Sequence, residues 1–248
     1  MRVLASYNIK GGVGKTTTAV NLAWLAAREG NRTLLWDLDP QSAASYCFRV
    51  KARAHGKKLL LGKSEVDDLI RSTLYERLDL LPSDFSYRNV DVLLHEAKNP
   101  LERLHKVLKP VRDDYDMVIL DCPPGLSLLS EAVFRAADAL VVPTLPSILS
   151  LRTLKMLIEF KKERSLDHLG LFAFLTMVDR RKKLHNEVIE ARPRMQPWML
   201  ESFVPYVSEV EQMAERREPV FAFAPAGRAA EAYASLWAEI HRHLGRPD

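Results

Sequence analysis

Residues 9–18 read IKGGVGKTTT and follow directly on the apolar run RVLASYN at 2–8. The general phosphate-loop pattern, G-x-x-x-x-G-K-[ST], calls for a glycine five positions before Gly14, yet Ile9 stands there. The stretch also carries a second lysine, Lys10, five residues before Lys15. Gly11, Gly12 and Gly14 fall between an apolar run and a helical pattern. Glycines there allow positive φ and let backbone N–H groups approach a phosphate. A helix beginning near Lys15 aims its positive end at the same point. The pattern assigns Lys15 to the β and γ phosphates of a nucleotide and the Thr16 hydroxyl to Mg²⁺, with Val13 and Thr17 completing the cradle.

Outward from this loop, apolar runs alternate with amphipathic segments. Runs at 2–8, 32–39, 78–84, 116–124, 139–144 and 169–179 read as buried strands, being nearly all apolar and bounded by polar, Pro or Gly residues. Segments 15–29, 87–97, 99–112, 127–137, 147–165, 182–192 and 226–244 carry helical spacing. This alternation predicts an α/β fold with a mostly parallel central sheet and helices on both faces. No linker or repeat interrupts it, so residues 1–248 are expected to form one domain. The basic stretch 51–65, KARAHGKKLLLGKSE, is expected to be a surface loop or a poorly ordered connection.

Three acidic residues stand at strand ends. LLWDLDPQS places Asp37 and Asp39 after the second predicted strand, beside the phosphate loop of a parallel sheet. DMVILDCPPG places Asp121 after a buried run, the form of an acid that holds Mg²⁺ directly or through water.

KGGVGKTT resembles the deviant Walker A motif of the ParA/MinD family of ATPases, a branch of the P-loop NTPase fold, and within it the ParA-type (Soj-like) partition proteins. Lys10 matches the signature lysine that opens the loop in that family. The resemblance implies that Lys10 reaches across a nucleotide-sandwich homodimer to the phosphates held by the other copy. There a second cation offsets the repulsion of two facing polyphosphates. DLDPQ resembles the switch I segment, which gives Asp39 the role of orienting the attacking water and Asp37 that of supporting the metal and loop network. Pro123, Pro124 and Gly125 resemble the switch II turn. LDLLPSD, ADALVVPTLPSILSLRTL, LTMVDRRKKL and EAYASLWAEI resemble family segments in order, and they imply adenine contacts at Thr176, Met177 and Pro205. The resemblance implies an Mg²⁺-dependent ATP hydrolase that is cytoplasmic, and nucleoid-associated when ATP-bound. It would act with a ParB-like activating protein, bind DNA without sequence preference, and move a plasmid, chromosome region or protein cargo.

Candidates for DNA phosphate contact are Arg180, Arg181, Lys182, Lys183, Arg216, Arg217 and Arg228. The segment after Pro205, YVSEVEQMAERRE, departs from the family's arginine-bearing pattern by bringing in Glu209 and Glu211. The formal charge of +4 permits a polyanionic partner without requiring one. A MinD-like membrane tail is the alternative for the C-terminus. However, Tyr233, Leu236, Trp237, Ile240 and Leu244 line one face of a helix whose other face is mixed in sign, so a core-packed helix and no membrane partner are expected. The short first apolar run leads into the glycine loop, so no secretory leader is expected. Cys47 and Cys122 lack metal-ligand spacing and read as buried free thiols. Three further readings are a positioning ATPase working through protein contacts alone, a small-molecule enzyme such as an ATP-dependent carboxylating synthetase or an ATPase coupled to metal transport, and a static nucleotide-binding scaffold, against which Asp39 and Asp121 together argue.

Overall fold

The strand at the foot of the phosphate loop, β1 (Arg2–Ser6), lies at the middle of the protein. The computed structural model describes residues 1–52, 56–195 and 197–245. Around β1 an eight-stranded sheet is built from β2 (Thr33–Asp37), β3 (Arg71–Ser72), β4 (Leu78–Leu81), β5 (Met117–Asp121), β6 (Ala139–Thr144), β7 (Gly170–Val178) and β8 (Met199–Pro205). Its order is β3-β4-β2-β5-β1-β6-β7-β8, parallel except for the β3–β4 edge pair. The helices are α1 (Lys15–Arg28), α2 (Ala43–Cys47), α3 (Gly56–Leu61), α4 (Val90–Glu96), α5 (Arg103–Leu108) and α6 (Leu128–Ala136). They continue with α7 (Ile148–Glu163), α8 (Lys183–Ala191), α9 (Ser208–Arg216), α10 (Val220–Phe223) and α11 (Arg228–Leu244).

Side chains of the central strands alternate between two apolar layers, as a period of two requires. Val3, Leu34, Trp36, Val118, Leu120, Leu140 and Val142 face the layer under α4 to α7. Leu4, Leu35, Ile119 and Val141 face the layer under α1, α9 and α11. Both sheet faces are therefore covered, which is why the strands read as unbroken apolar runs. The parallel register brings Ser6 and Asp121 level, and likewise Asp37 and Asp121. All three carboxyl ends open on the same side as the phosphate loop.

The stretch 51–65 departs from its expectation. Residues 53–55 lie outside the described residues, but Gly56–Leu61 is helical with Leu59 and Leu60 buried. Three consecutive leucines supply an apolar edge that the flanking lysines masked. α11 does what its pattern predicted: Tyr233, Leu236, Trp237 and Ile240 are buried against the sheet and α1. Among the described residues no helix is long and apolar enough to cross a membrane. Cys47 and Cys122 are buried and unbridged.

Candidate functional site

The loop between β1 and α1 is held open by its glycines. Gly12 and Gly14 take φ of 70° and 89°, in the left-handed region that side chains resist. A Cβ at Gly14 would also stand 3.2 Å from the Thr17 hydroxyl. Ser6 Oγ donates to the Lys15 carbonyl at 2.8 Å, tying the start of α1 to the end of β1. The first turn of α1 holds no acidic side chain, so its N–H groups and positive end are left to an incoming anion. Lys15 is 7% exposed, and its Nζ donates to the Lys10 carbonyl at 3.0 Å. Burial lowers its pKa below the ordinary lysine value, while Asp121, Cys122 and Asp39 pull the other way. Gly11, Gly12, Gly14, Lys15, Thr16 and Thr17 line one cavity of about 410 Å³ together with Asp39 and the Pro123–Pro124 turn. Val13 is buried behind it. Gly125 N–H donates to the Ile9 carbonyl and Tyr7 hydroxyl to the Gly125 carbonyl, so the turn after Asp121 is fastened to the loop.

The acids divide by what they touch. Asp37 is fully buried and accepts Ser45 N–H at 2.9 Å, Ser45 Oγ–H at 2.7 Å and Asp39 N–H at 3.2 Å. Burial lifts its pKa to about 6 despite these donors. Asp121 is also fully buried, yet among the described residues neither carboxylate oxygen has a hydrogen-bond partner. Burial first, then the neighbouring Asp37 and Asp39, raises its pKa well above the usual range, while the Thr16 hydroxyl and the Lys15 ammonium pull the other way. A buried, unpartnered carboxylate is costly unless a cation meets it. With Thr16 beside it, Asp121 fits Mg²⁺ chemistry, a hard cation with oxygen ligands. Asp39 is half-buried on the cavity wall and accepts Gln41 N–H at 2.9 Å.

Lys10 is half-buried, and its Nζ donates to Ser150 Oγ at 3.4 Å. Thr176 and Met177 lie against the loop: a Cβ on Gly14 would meet Thr176 Oγ1 at 3.6 Å and the Met177 methyl at 4.0 Å. Met177 holds φ of +53°, a conformation that costs about 1–2 kcal/mol for an L-residue. Pro205 pairs with Val178 and opens on a larger cavity of about 890 Å³, shared with Arg180, Arg181 and Arg228.

The basic candidates form two groups. Arg180, Arg181 and Arg228 line the larger cavity; Lys182 and Lys183 are exposed next to it. Arg181 is engaged by Asp179 at 2.8 Å and Lys183 by Glu187 at 3.7 Å. Arg216 and Arg217 sit elsewhere, at the end of α9, stacked over Phe223 and Tyr46. The two glutamates that broke the pattern are both used within the chain. Glu209 accepts Ala229 N–H at 2.8 Å at the start of α11, and Glu211 accepts the Tyr206 hydroxyl at 3.0 Å.

Sequence reasoning passed over Asn8, Ser45 and Ser150. Asn8 accepts the Lys10 N–H at 2.9 Å and donates to the Pro143 carbonyl at 2.8 Å, which locks the loop to β6. Its signal was a polar residue closing an apolar run. Ser45 and Ser150 gave none, because a serine in a helical segment carries no mark of what it touches.

Comparison with known proteins places this geometry in context. The AAA domain family matches residues 1–167. The sporulation initiation inhibitor protein Soj of Bacillus subtilis is 31% identical over 96% of this chain and 98% of its own. The ATP complex of a Cyanothece McdA variant superposes with a TM-score of 0.85 at 21% identity, covering 97% of this chain and 96% of that one. The cobyrinic acid a,c-diamide synthase of Mycobacterium smegmatis, bound to ADP and magnesium, superposes at 0.83 with 25% identity, covering 99% and 97%.

Proposed function

The chain belongs to the ParA/MinD family, on its Soj-like side, and from that premise we propose that it is an Mg²⁺-dependent ATPase whose ATP-bound form is a sandwich homodimer. The observation that carries the reading is the orphaned Asp121 carboxylate behind a loop bearing two lysines. Bound Mg²⁺ would neutralise charge on the β and γ phosphates, held by Thr16 and Asp121 with Asp37 supporting the network. Lys15 binds the phosphates in its own chain, and Gly11 to Thr17 supply backbone N–H groups. Asp39 orients the water. Lys10 turns to the nucleotide of the second copy, so loss of the γ phosphate removes the contacts that hold the pair together. Thr176, Met177 and Pro205 hold the base.

The dimer binds DNA non-specifically through its arginines, is stimulated by a ParB-like partner, and positions a cargo. Exposure of Arg180, Arg228 and Arg216, and the internal use of Glu209 and Glu211, support this. Lys15→Ala abolishes nucleotide binding in a fluorescent-ADP titration. Asp39→Ala yields a dimer that keeps ATP, with hydrolysis reduced at least tenfold; ordinary turnover by that variant contradicts the role of Asp39. A second reading, an ATP-dependent synthetase, is favoured by the likeness to the cobyrinic acid enzyme. It requires a small-molecule acid before ATP is consumed, whereas a switch hydrolyses ATP without one.

A further inference from the structure

We propose that Tyr233 is a positioning residue for the phosphate loop, aiming the Thr17 hydroxyl at the nucleotide phosphates from the core side. The inference rests on the nucleotide reading above and deepens it, adding a side chain 216 positions along the chain from the one it orients. Tyr233 stands on the inner face of α11 and is 1% exposed, packed in the apolar layer under α1, α9 and α11. Its hydroxyl donates to Thr17 Oγ1 at 3.2 Å. Burial raises its pKa above the ordinary tyrosine value, with Thr17, Thr18 and Asn21 pulling the other way, so the group keeps its proton at neutral pH. Thr17 is half-buried on the wall of the glycine-loop cavity.

A threonine in a helix divides between two χ1 rotamers, because its hydroxyl can turn back on a carbonyl three or four residues earlier. Thr17 takes the backward form, and its Oγ1 donates to the Gly14 carbonyl at 3.0 Å. That carbonyl does not depend on it. Gly14 O also accepts Thr18 N–H at 3.0 Å and the Thr18 hydroxyl at 2.7 Å. The Thr17 O–H can therefore turn to an incoming phosphate oxygen without leaving a buried acceptor bare. Tyr233 settles the direction of that turn. It fills a lone pair of Thr17 from the core, which leaves the Thr17 proton for the loop side. A hydroxyl that accepts a hydrogen bond is also polarised into a better donor. Its bond to a charged phosphate is stronger than its bond to a carbonyl. Asn21 fixes the same residue by its backbone: Nδ2 donates to the Thr17 carbonyl at 2.8 Å, and Oδ1 accepts Val220 N–H at 3.0 Å. Movement is left to the Thr17 hydroxyl.

The test is a double-mutant cycle on the full chain, titrated with fluorescent ADP in the presence of Mg²⁺. Tyr233→Phe removes one oxygen and keeps the buried ring; Thr17→Val removes the hydroxyl and keeps the branched shape. Tyr233→Phe weakens ADP about three- to tenfold, the range of one neutral hydrogen bond. In the Thr17→Val background the same change weakens ADP by less than about 1.5-fold, because the hydroxyl it acts through is gone. A tyrosine that only fills the core would leave ADP affinity unchanged, or shift it equally in both backgrounds, and either result overturns the proposal. Should Tyr233→Phe fail to fold, Thr17→Ser decides. Serine keeps the hydroxyl and lacks the methyl that biases its own rotamer, so affinity within about twofold of the unaltered chain assigns the aim to Tyr233. A loss as large as that of Thr17→Val overturns it. If the unaltered chain takes up no ADP, the nucleotide reading fails as well; if it binds and Tyr233→Phe binds equally, only the Tyr233 proposal fails.

Discussion

Two aspartates level with each other in adjacent strands meet opposite fates, and the difference lies in their neighbours. Asp37 gathers three donors from Ser45 and Asp39, whereas Asp121 gathers none. An uncompensated carboxylate in the interior destabilises the nucleotide-free fold. Asp121→Asn is expected to raise the nucleotide-free melting temperature by about 2–6 °C, from a gain of about 1–2 kcal/mol. The same variant should lose most of the further rise that Mg²⁺ adds to ADP, read by calorimetry with and without chelator. A lowered midpoint without nucleotide contradicts the account of Asp121. The sequence announces Asp121 through the four apolar residues before it, since only a buried strand end combines that run with an acid. It does not announce Ser45 or Ser150, whose importance comes from side chains distant in the chain: Ser150 is 140 residues from the lysine it meets.

Among the elements, β8 shows where pattern reading fails. Met199–Pro205 is an edge strand in which Glu201 and Ser202 interrupt the apolar run and its pairing with β7 is irregular. Its backbone is completed by α11: Glu239, 5% exposed, accepts Glu201 N–H and Ser202 N–H, each at 2.8 Å. A glutamate on a helix face reads as solvated until the strand beneath it is known. Burial pushes its pKa up, but the Ser202 and Glu201 donors outweigh burial and hold it below the ordinary glutamate value. A depressed pKa contributes stability that is complete above about pH 4.3 and lost as pH falls through the lower folded value. Glu239→Gln should therefore cost about 2 kcal/mol at pH 7 and flatten the acid limb of a urea-midpoint profile. An unchanged limb would mean that the carboxylate does not carry the α11–β8 contact. The central strands β1, β2, β5 and β6 were legible because both faces are covered and each run is apolar throughout. α3 was not, because lysines flank its leucines.

At the scale of the whole molecule, the candidate DNA contacts among the described residues fall into two regions, one at the larger cavity and one at the end of α9. Phosphate contacts steepen the salt dependence of binding in proportion to their number. Charge reversal at Arg180 and Arg228 is expected to lower ATP-dependent retention on non-specific DNA at least tenfold and to shallow its salt slope. Reversal at Arg216 and Arg217 tests the second region in the same way, and retention unchanged in both variants contradicts the assignment of these basic surfaces to DNA. In the proposed function, ATP-dependent retention on DNA presupposes closure of two chains over nucleotide. The most direct measurement is therefore the solution mass of the full chain by light scattering, with Mg²⁺ and a non-hydrolysable ATP analogue, for the unaltered protein and for Lys10→Ala. The account predicts a dimer for the first and a nucleotide-bound monomer for the second; a monomer in both, or a dimer in both, contradicts it.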